Sequence, residues 1–494
     1  MDVDVLLYQD IEDLTEAITR KGNHSIDRLS MPYFDGWYVT GVVNKIQEKK
    51  EKKVKKILIV GSGAREHAIL RAFLRSKQKI SLYCFGTSLN IGIKNYCVDY
   101  MVGKMTDIGQ ILDFAKNNNI DLIIIGPEIP LNAGLADLLW KNNIPTVGPT
   151  KKLAQLETSK SFTRKLMEKY GISGLPKYKI FNSTEGVGEF LYELDGNYVI
   201  KVDGLMGGKG VKVSGEHLKN FEEALEYCRE IISKKSSFVI EEKFIGQEFS
   251  LMSFSDGINL AHMPVVQDHK RAFENDKGPN TGGMGSYSCA DHSLPFLTEK
   301  NVQKAKGITR SILNALKKEF GELYKGILYG GFMVTKNGIK VIEYNVRFGD
   351  PESLNVLSLL ESDFVEICEG ITSGRLDKCD INFAKKATVC KYAVPIGYPT
   401  KPVKGEKIDI SEVKNQENLY LASVDLLNGD LIEIGSRTTA FVGIANTVFE
   451  AEKEAESEIQ KIKGPLFHRK DIGKEETIEN KIKFMEKICN QKKN

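Results

Sequence analysis

Glu343 and Asn345 stand two residues apart in the run Val341-Ile342-Glu343-Tyr344-Asn345-Val346-Arg347-Phe348-Gly349-Asp350-Pro351. Side chains alternate along a strand, so this carboxylate and this amide share one face with Cβ atoms about 7 Å apart. That spacing suits one or two magnesium ions held by hard oxygen donors and bridged to the phosphates of ATP. Ile342, Tyr344 and Val346 are expected on the opposite face. An amphipathic surface strand closed by an ordinary Asp-Pro turn would use the same residues.

Between strand-like Tyr198-Val199-Ile200-Lys201-Val202 and Val211-Lys212-Val213, Gly204, Gly207, Gly208 and Gly210 surround Lys209. Glycines at a hairpin tip let backbone N–H groups approach an anion, and Lys209 supplies charge. The G-x-x-x-x-G-K-[ST] pattern opening a helix is absent, so this is no Walker A loop. Lys201 sits in an otherwise apolar strand, where an ammonium is costly to desolvate unless it meets a phosphate or carboxylate. A flexible, solvated hairpin tip leaves that lysine unexplained.

Two further loops carry suitable groups. Gly61-Ser62-Gly63-Ala64-Arg65-Glu66 opens like a dinucleotide fingerprint, but Glu66 stands where the third glycine should be, which weakens a nicotinamide-dehydrogenase reading. A better reading offers the free N–H groups of a helix N-terminus to a phosphate, with Arg65 beside it; a plain strand-to-helix turn is the bland alternative. Gln267-Asp268-His269-Lys270-Arg271, followed by Gly278 to Gly285, is too polar for core and suits a phosphosugar or amino-acid site. His269 alone is more often a structural hydrogen bonder than a catalyst, and no proton transfer is assigned to it.

The elements that must position these groups are legible from period and turn signals. Ile57-Leu58-Ile59-Val60, Leu122-Ile123-Ile124-Ile125 and Ile144 to Val147 read as buried parallel strands, with a helix from Arg65. A helix containing Lys160 follows Thr158, and Phe238 to Glu242 and Lys340 to Asn345 read as strands. Past about residue 380, short strands and a charged helix (450–463) suggest a smaller α+β unit. At 494 residues the chain exceeds the roughly 250–300 that one core spans, so several domains are expected. The Lys- and Glu-rich stretch 45–56 reads as a linker behind an extension of unassigned role.

Lys and Arg number 69 against 66 Asp and Glu, which gives no global attraction to nucleic acid. The eight cysteines form no C-x-x-C pair, which fits a reducing cytoplasm. No apolar run approaches the roughly 18 residues of a membrane helix, and the acidic start lacks a signal-peptide layout.

The strings KILIVGSGAREHAI, GPEIPL, GPTKKLAQLETSKSFTRKLM, VIKVDGLMGGKGV, VIEEKFIGQEFS, QDHKRAFENDKGPNTGGMGSYS and VIEYNVRFGDPES, in this order, resemble the phosphoribosylamine-glycine ligase family of the ATP-grasp superfamily from Lys55 to about residue 475. The resemblance implies an α/β and α+β multidomain fold. It has a parallel-sheet preATP-grasp domain (54–150), an ATP-grasp core (151–378) with a lid at about 176–240, and a small C-terminal α+β domain (379–494); residues 1–53 fall outside it.

It implies ATP as cosubstrate with Mg2+ or Mn2+, glycine and 5-phosphoribosylamine as substrates, and a monomer or weak homo-oligomer. Lys160, Lys201, Gly207, Gly208, Lys209 and Gly210 should meet the ATP phosphates, Glu241 the adenine amino group and Glu248 the ribose. Glu343 and Asn345 should hold the metal. Asp268, Lys270, Arg271, Asn280, Thr281, Arg347 and Asp350 match the acceptor and phosphoryl site, with Lys209, Arg347 and Asp268 in catalytic roles. Gly63, Arg65 and Glu128 match the phosphosugar face. Ala64 and Val394 to Pro399 depart from the family pattern. An ATP-grasp carboxylase is the nearest rival, and the Asp268 to Tyr287 loop separates the two.

Overall fold

In the computed structural model, which describes residues 54–205 and 210–490, the first unit is a five-stranded parallel sheet. Its strands β1 (Lys55–Val60), β2 (Ile80–Gly86), β3 (Cys97–Val102), β4 (Leu122–Ile125) and β5 (Thr146–Val147) run in the order β3-β2-β1-β4-β5. Ile57, Leu58, Ile59 and Val60 are completely buried, as an unbroken apolar run in a parallel sheet covered on both faces requires. Full burial of each such side chain contributes about 1.5–3 kcal/mol. Helix α1 (Ala64–Leu74) leaves the carboxyl end of β1, next to the turn after β4, where ligands of such sheets gather. Helix α2 (Lys160–Lys169) follows, with Ser159 as its N-cap.

A small antiparallel sheet comes next, of β6 (Tyr178–Phe181), β7 (Tyr198–Val202), β8 (Val211–Val213) and β9 (Phe238–Glu242), ordered β6-β9-β7-β8. Its core is its own: Phe181, Phe190, Ile200 and Phe238 cluster separately from the main core. The main core sheet is antiparallel too. It comprises β10 (Gly246–Asp256), β11 (Leu260–His262), β16 (Lys325–Thr335) and β17 (Gly338–Asn345), in the order β11-β10-β16-β17. Between β11 and β16 lie four short strands, β12 (Gln267–Asp268), β13 (Arg271–Phe273), β14 (Lys277–Asn280) and β15 (Gly285–Ser288), and helix α3 (Glu299–Phe320). Thr298 and Asn301 cap the start of α3 reciprocally, and Gly321 in the left-handed region (φ 68°) ends it.

Helix α4 (Glu352–Leu359) precedes the C-terminal strands β18 (Ala387–Pro395), β19 (Leu419–Leu421), β20 (Val424–Leu427), β21 (Asp430–Glu433), β22 (Thr439–Ala445) and β23 (Leu466–Phe467). The charged helix expected there is α5 (Val448–Ile459), and α6 (Glu475–Asn490) closes the described chain. The C-terminal sheet is ordered β12-β15-β18-β22-β19, so the polar loop segment around Asp268 is hydrogen-bonded into it. Among the described residues no helix is long and apolar enough to cross a membrane.

One expectation for β17 needs correction. The ladder to β16 shifts register, pairing Gly331 with Glu343 but Phe332 with Val341, so Ile342 is an extra, bulged residue. Ile339 and Val341 face the core before the bulge and Tyr344 and Val346 after it, while Ile342 stays half-buried. Its carbonyl accepts from Arg164 Nη2 (2.6 Å) and Lys201 Nζ (3.0 Å).

Candidate active site

Glu343 leaves β17 into a cationic surround. Burial favours its neutral form, yet Lys270, Lys201, Lys160 and Arg347 together hold its carboxyl below the ordinary range. These four cations come from the β12–β13 connection, β7, α2 and the segment after β17. Asn345, two residues on, is 8% exposed and accepts from Arg347 Nη2 at 3.2 Å. An ionised carboxylate and a neutral amide oxygen on one strand are hard donors that fit a divalent cation completed by phosphate oxygens and water. Among the described residues there is no cluster of three or more His, Cys, Asp or Glu suited to a metal.

The lysines expected at the phosphates are tied to the floor of the same cleft. Lys201 Nζ lies 2.8 Å from Glu241 Oε2, and Arg164 grips both Glu241 oxygens at 2.6 and 2.9 Å. Burial pulls the Lys201 ammonium down, because Glu241 only partly offsets its desolvation and Arg164 opposes it. Glu241 is buried, which favours its neutral form, but Arg164 and Lys201 drive it down to about 2. Both its oxygens are therefore engaged by cations. Arg164 was not legible as a site residue, although it lies one helical turn after Lys160 on α2, a spacing that shares a face. Lys160 Nζ donates to Gly204 O at 2.7 Å, and Asp203 accepts from the Lys160 and Ser161 backbone at the start of α2. Gly210 O accepts from Val202 N at 2.9 Å at the hairpin base. Gly207, Gly208 and Lys209 lie outside the described residues, as does the whole extension 1–53.

The Glu241 cluster yields a pH prediction. A carboxyl depressed from 4.5 to about 2 on folding stabilises the fold above its unfolded pKa and loses that contribution as pH falls toward 2. Glu241→Gln is expected to cost roughly 3–5 kcal/mol at neutral pH, since it strands two buried cations. Denaturant melts should show the wild-type advantage shrinking between pH 4.5 and 2. A gap that stays constant through that window would show the pair to be energetically silent.

Arg347 joins the end of β17 to the first unit. Its Nη2 donates to Glu157 Oε1 (3.0 Å) and its Nε lies 3.4 Å from Glu128 Oε2. Glu157 also accepts from Val346 N at 2.8 Å. Burial raises the Glu157 carboxyl, while Arg347 and Arg65 pull Glu128 below its usual range against burial. Glu157, in an otherwise unremarked helical stretch, was missed. Arg65 Nη1 reaches Phe348 O at 3.3 Å, so Arg65, Glu128 and Arg347 do share one wall.

Of the N–H groups expected to be free at this helix N-terminus, that of Gly63 is taken. Its N–H donates to Glu66 Oε2 at 2.7 Å, because Glu66 folds back over the turn and also takes Arg65 Nε at 2.6 Å. Glu66 packs tightly on the turn after β4: a Cβ on Gly126 would lie 2.0 Å from its Oε1.

On the opposite wall, Lys270 Nζ stands 3.3 Å from Glu248 Oε2. Burial, reinforced by Glu352, Glu248 and Glu343 against the pull of Lys270, pushes Asp268 up to about 7. Lys270 is held well up despite burial by Glu248, Asp268 and Glu343. Thr281 Oγ1 and N both donate to Lys270 O, at 2.9 and 2.7 Å, which fixes the loop. Asn280 pairs with Arg271 in the β13–β14 hairpin.

Two side chains of this wall point elsewhere than expected. Arg271 bonds Glu216, His217 Nε2 (3.1 Å) and Gly278 O (2.8 Å), latching its loop to the small sheet. The Asp350 carboxylate is taken by Tyr392 Oη at 2.6 Å and Arg437 Nη2 at 3.0 Å. Tyr392 lies on β18 and Arg437 in the connection before β22, in the C-terminal region where no site residue was expected. His269 is buried with Nε2 3.1 Å from Lys481 Nζ, and burial keeps it neutral.

A parallel-sheet unit, an antiparallel core sheet and a small sheet meeting over one carboxylate define an ATP-grasp protein. Family models match for the phosphoribosylglycinamide synthetase N domain over residues 55–157, its ATP-grasp (A) domain over 158–353 and its C domain over 388–475. The phosphoribosylamine-glycine ligase of Methanosarcina barkeri is 46% identical over 433 residues, covering 88% of this chain and 99% of that protein. That of Methanocaldococcus jannaschii is 48% identical over 443 residues, with 88% and 99% covered. The crystal structure of phosphoribosylamine-glycine ligase from Thermotoga maritima superposes with a TM-score of 0.71 at 28% identity, over 84% of this chain and 99% of that one. The chain belongs to the phosphoribosylglycinamide synthetase family.

Proposed function

We infer that this chain ligates glycine to 5-phosphoribosylamine at the expense of ATP, giving glycinamide ribonucleotide, ADP and phosphate through glycyl phosphate. The observation that carries the reading is the convergence of Lys160, Lys201, Lys270 and Arg347 on Glu343. Charge on a transferring phosphoryl group is spread over its oxygens, and such a transfer needs positioned cations rather than a covalent nucleophile.

In this reading the glycine carboxylate attacks the γ-phosphorus and ADP leaves. The amine then attacks the acyl carbon, phosphate departs, and one proton is released to form the amide. Lys160 and Lys201, anchored on Gly204 O and Glu241, stand where nucleotide phosphates would enter between the small sheet and the core sheet. Lys270 and Arg347 act on Glu343 together with them. Glu343 and Asn345 would hold Mg2+ or Mn2+, which supplies charge neutralisation to the phosphates when bound. The small sheet acts as a lid that keeps water from the acyl phosphate.

In this reading residues 54–150, 151–378 and 379–494 are the three functional units of a cytoplasmic monomer or weak homo-oligomer.

The test is ADP release. It is expected only with glycine and freshly made phosphoribosylamine together. Equal release with bicarbonate in place of glycine would overturn the ligase reading in favour of a carboxylase.

A further inference from the structure

The polar loop and the C-terminal strands share one sheet, through β12, β15, β18 and β22. Arg437, two residues before β22, is 15% exposed at its side chain and lies over that junction. Its Nη1 donates to Gly282 O (2.9 Å), Gly283 O (3.2 Å) and Asp350 O (2.9 Å), while Nη2 pairs with Asp350 Oδ2. Tyr392 supports the guanidinium from below, its ring centre 4.6 Å from the central carbon. A Cβ on Gly282 would sit 3.0 Å from that carbon, so the loop approaches this closely because residue 282 is glycine.

One planar fork thus ties two segments remote in sequence. The first carries Asn280 and Thr281; the second is the turn after the Glu343 strand. The hydrogen bonds and ion pair of Arg437 go to these two segments and to none of Lys160, Lys201 and Glu241. We propose that Arg437 is a positioning residue for the pocket of the two small substrates, holding the Gly278 to Gly285 loop against the Asp350 turn without setting the nucleotide. The proposal rests on the ligase reading above. Lysine cannot replace it, because one ammonium does not span four oxygens lying in two segments.

The test compares Arg437→Met and Arg437→Lys with wild type, with thermal melting to establish folding. KM for glycine, for the amine or for both should rise about tenfold or more, since misplaced reactants lose rate steeply. KM for ATP should stay within about twofold, and lysine should give no rescue. Amide exchange across 278–285 should quicken while that of β1 stays unchanged. Unaltered KM values, an equal rise for ATP, rescue by lysine, or unaltered loop exchange would each overturn the proposal. If the methionine variant does not fold, the lysine variant carries the same comparison. Wild-type protein inactive with glycine and amine would strike the ligase reading instead, and the exchange measurement would still decide the role of Arg437.

Discussion

Glu343→Gln is expected to lower kcat by at least about a hundredfold and to raise the magnesium concentration needed for half-maximal rate. The substitution keeps the shape of the side chain and removes the one anion on which Lys160, Lys201, Lys270 and Arg347 converge. Without it the four cations repel one another, and in the proposed reading a divalent ion would lose its charged protein donor on β17. Asn345→Ala should cost less, about ten- to a hundredfold, because a neutral oxygen is lost and Arg347 keeps its other partners. Turnover measured against magnesium concentration, with melting to confirm folding, checks both. A folded Glu343→Gln enzyme with wild-type rate and magnesium dependence would place the metal elsewhere. Ile342 sits in the bulge rather than on the core face, so Ile342→Val should perturb stability by less than about 1 kcal/mol.

The second large effect belongs to Arg347→Met. Arg347 is the common partner of Glu157, Glu128 and Asn345, and Glu157 is so buried that its carboxyl is raised even with the arginine present. Removing the guanidinium should destabilise the fold by roughly 3–5 kcal/mol at neutral pH. The loss should shrink under mild acid, where Glu157 takes up a proton and no longer needs a counter-charge. Activity should fall further than stability alone explains, since the same side chain orients Asn345 at the end of β17. Equilibrium denaturation from pH 7 to 5 separates the two contributions. A variant whose destabilisation is unchanged across that range would mean that Glu157 finds another partner.

Much of the local structure was determined by the sequence. The apolar run Ile57 to Val60 must be buried on both faces, and the Gly61 and Gly126 turns must follow the strand ends. The parity of Glu343 and Asn345 survives in β17 because the bulge falls just before them. Lys201 had to meet an anion, and it does. These conclusions rest on period, turn chemistry and desolvation cost, which act between neighbours in the chain.

Only the tertiary structure decided who those partners are. Glu241 could not be known to bind Arg164 bidentately, nor Asp350 to be enclosed by Tyr392 and Arg437, because each pair lies far apart in sequence. Gly63 looked open to a phosphate until Glu66 was seen folded over it, a choice among rotamers that local pattern does not encode. The sheet running from Asp268 into the C-terminal strands likewise makes one wall out of segments more than a hundred residues apart. Charge pairing and long-range strand pairing depend on which groups the fold brings out of water together, and that is a property of packing rather than of any stretch of chain.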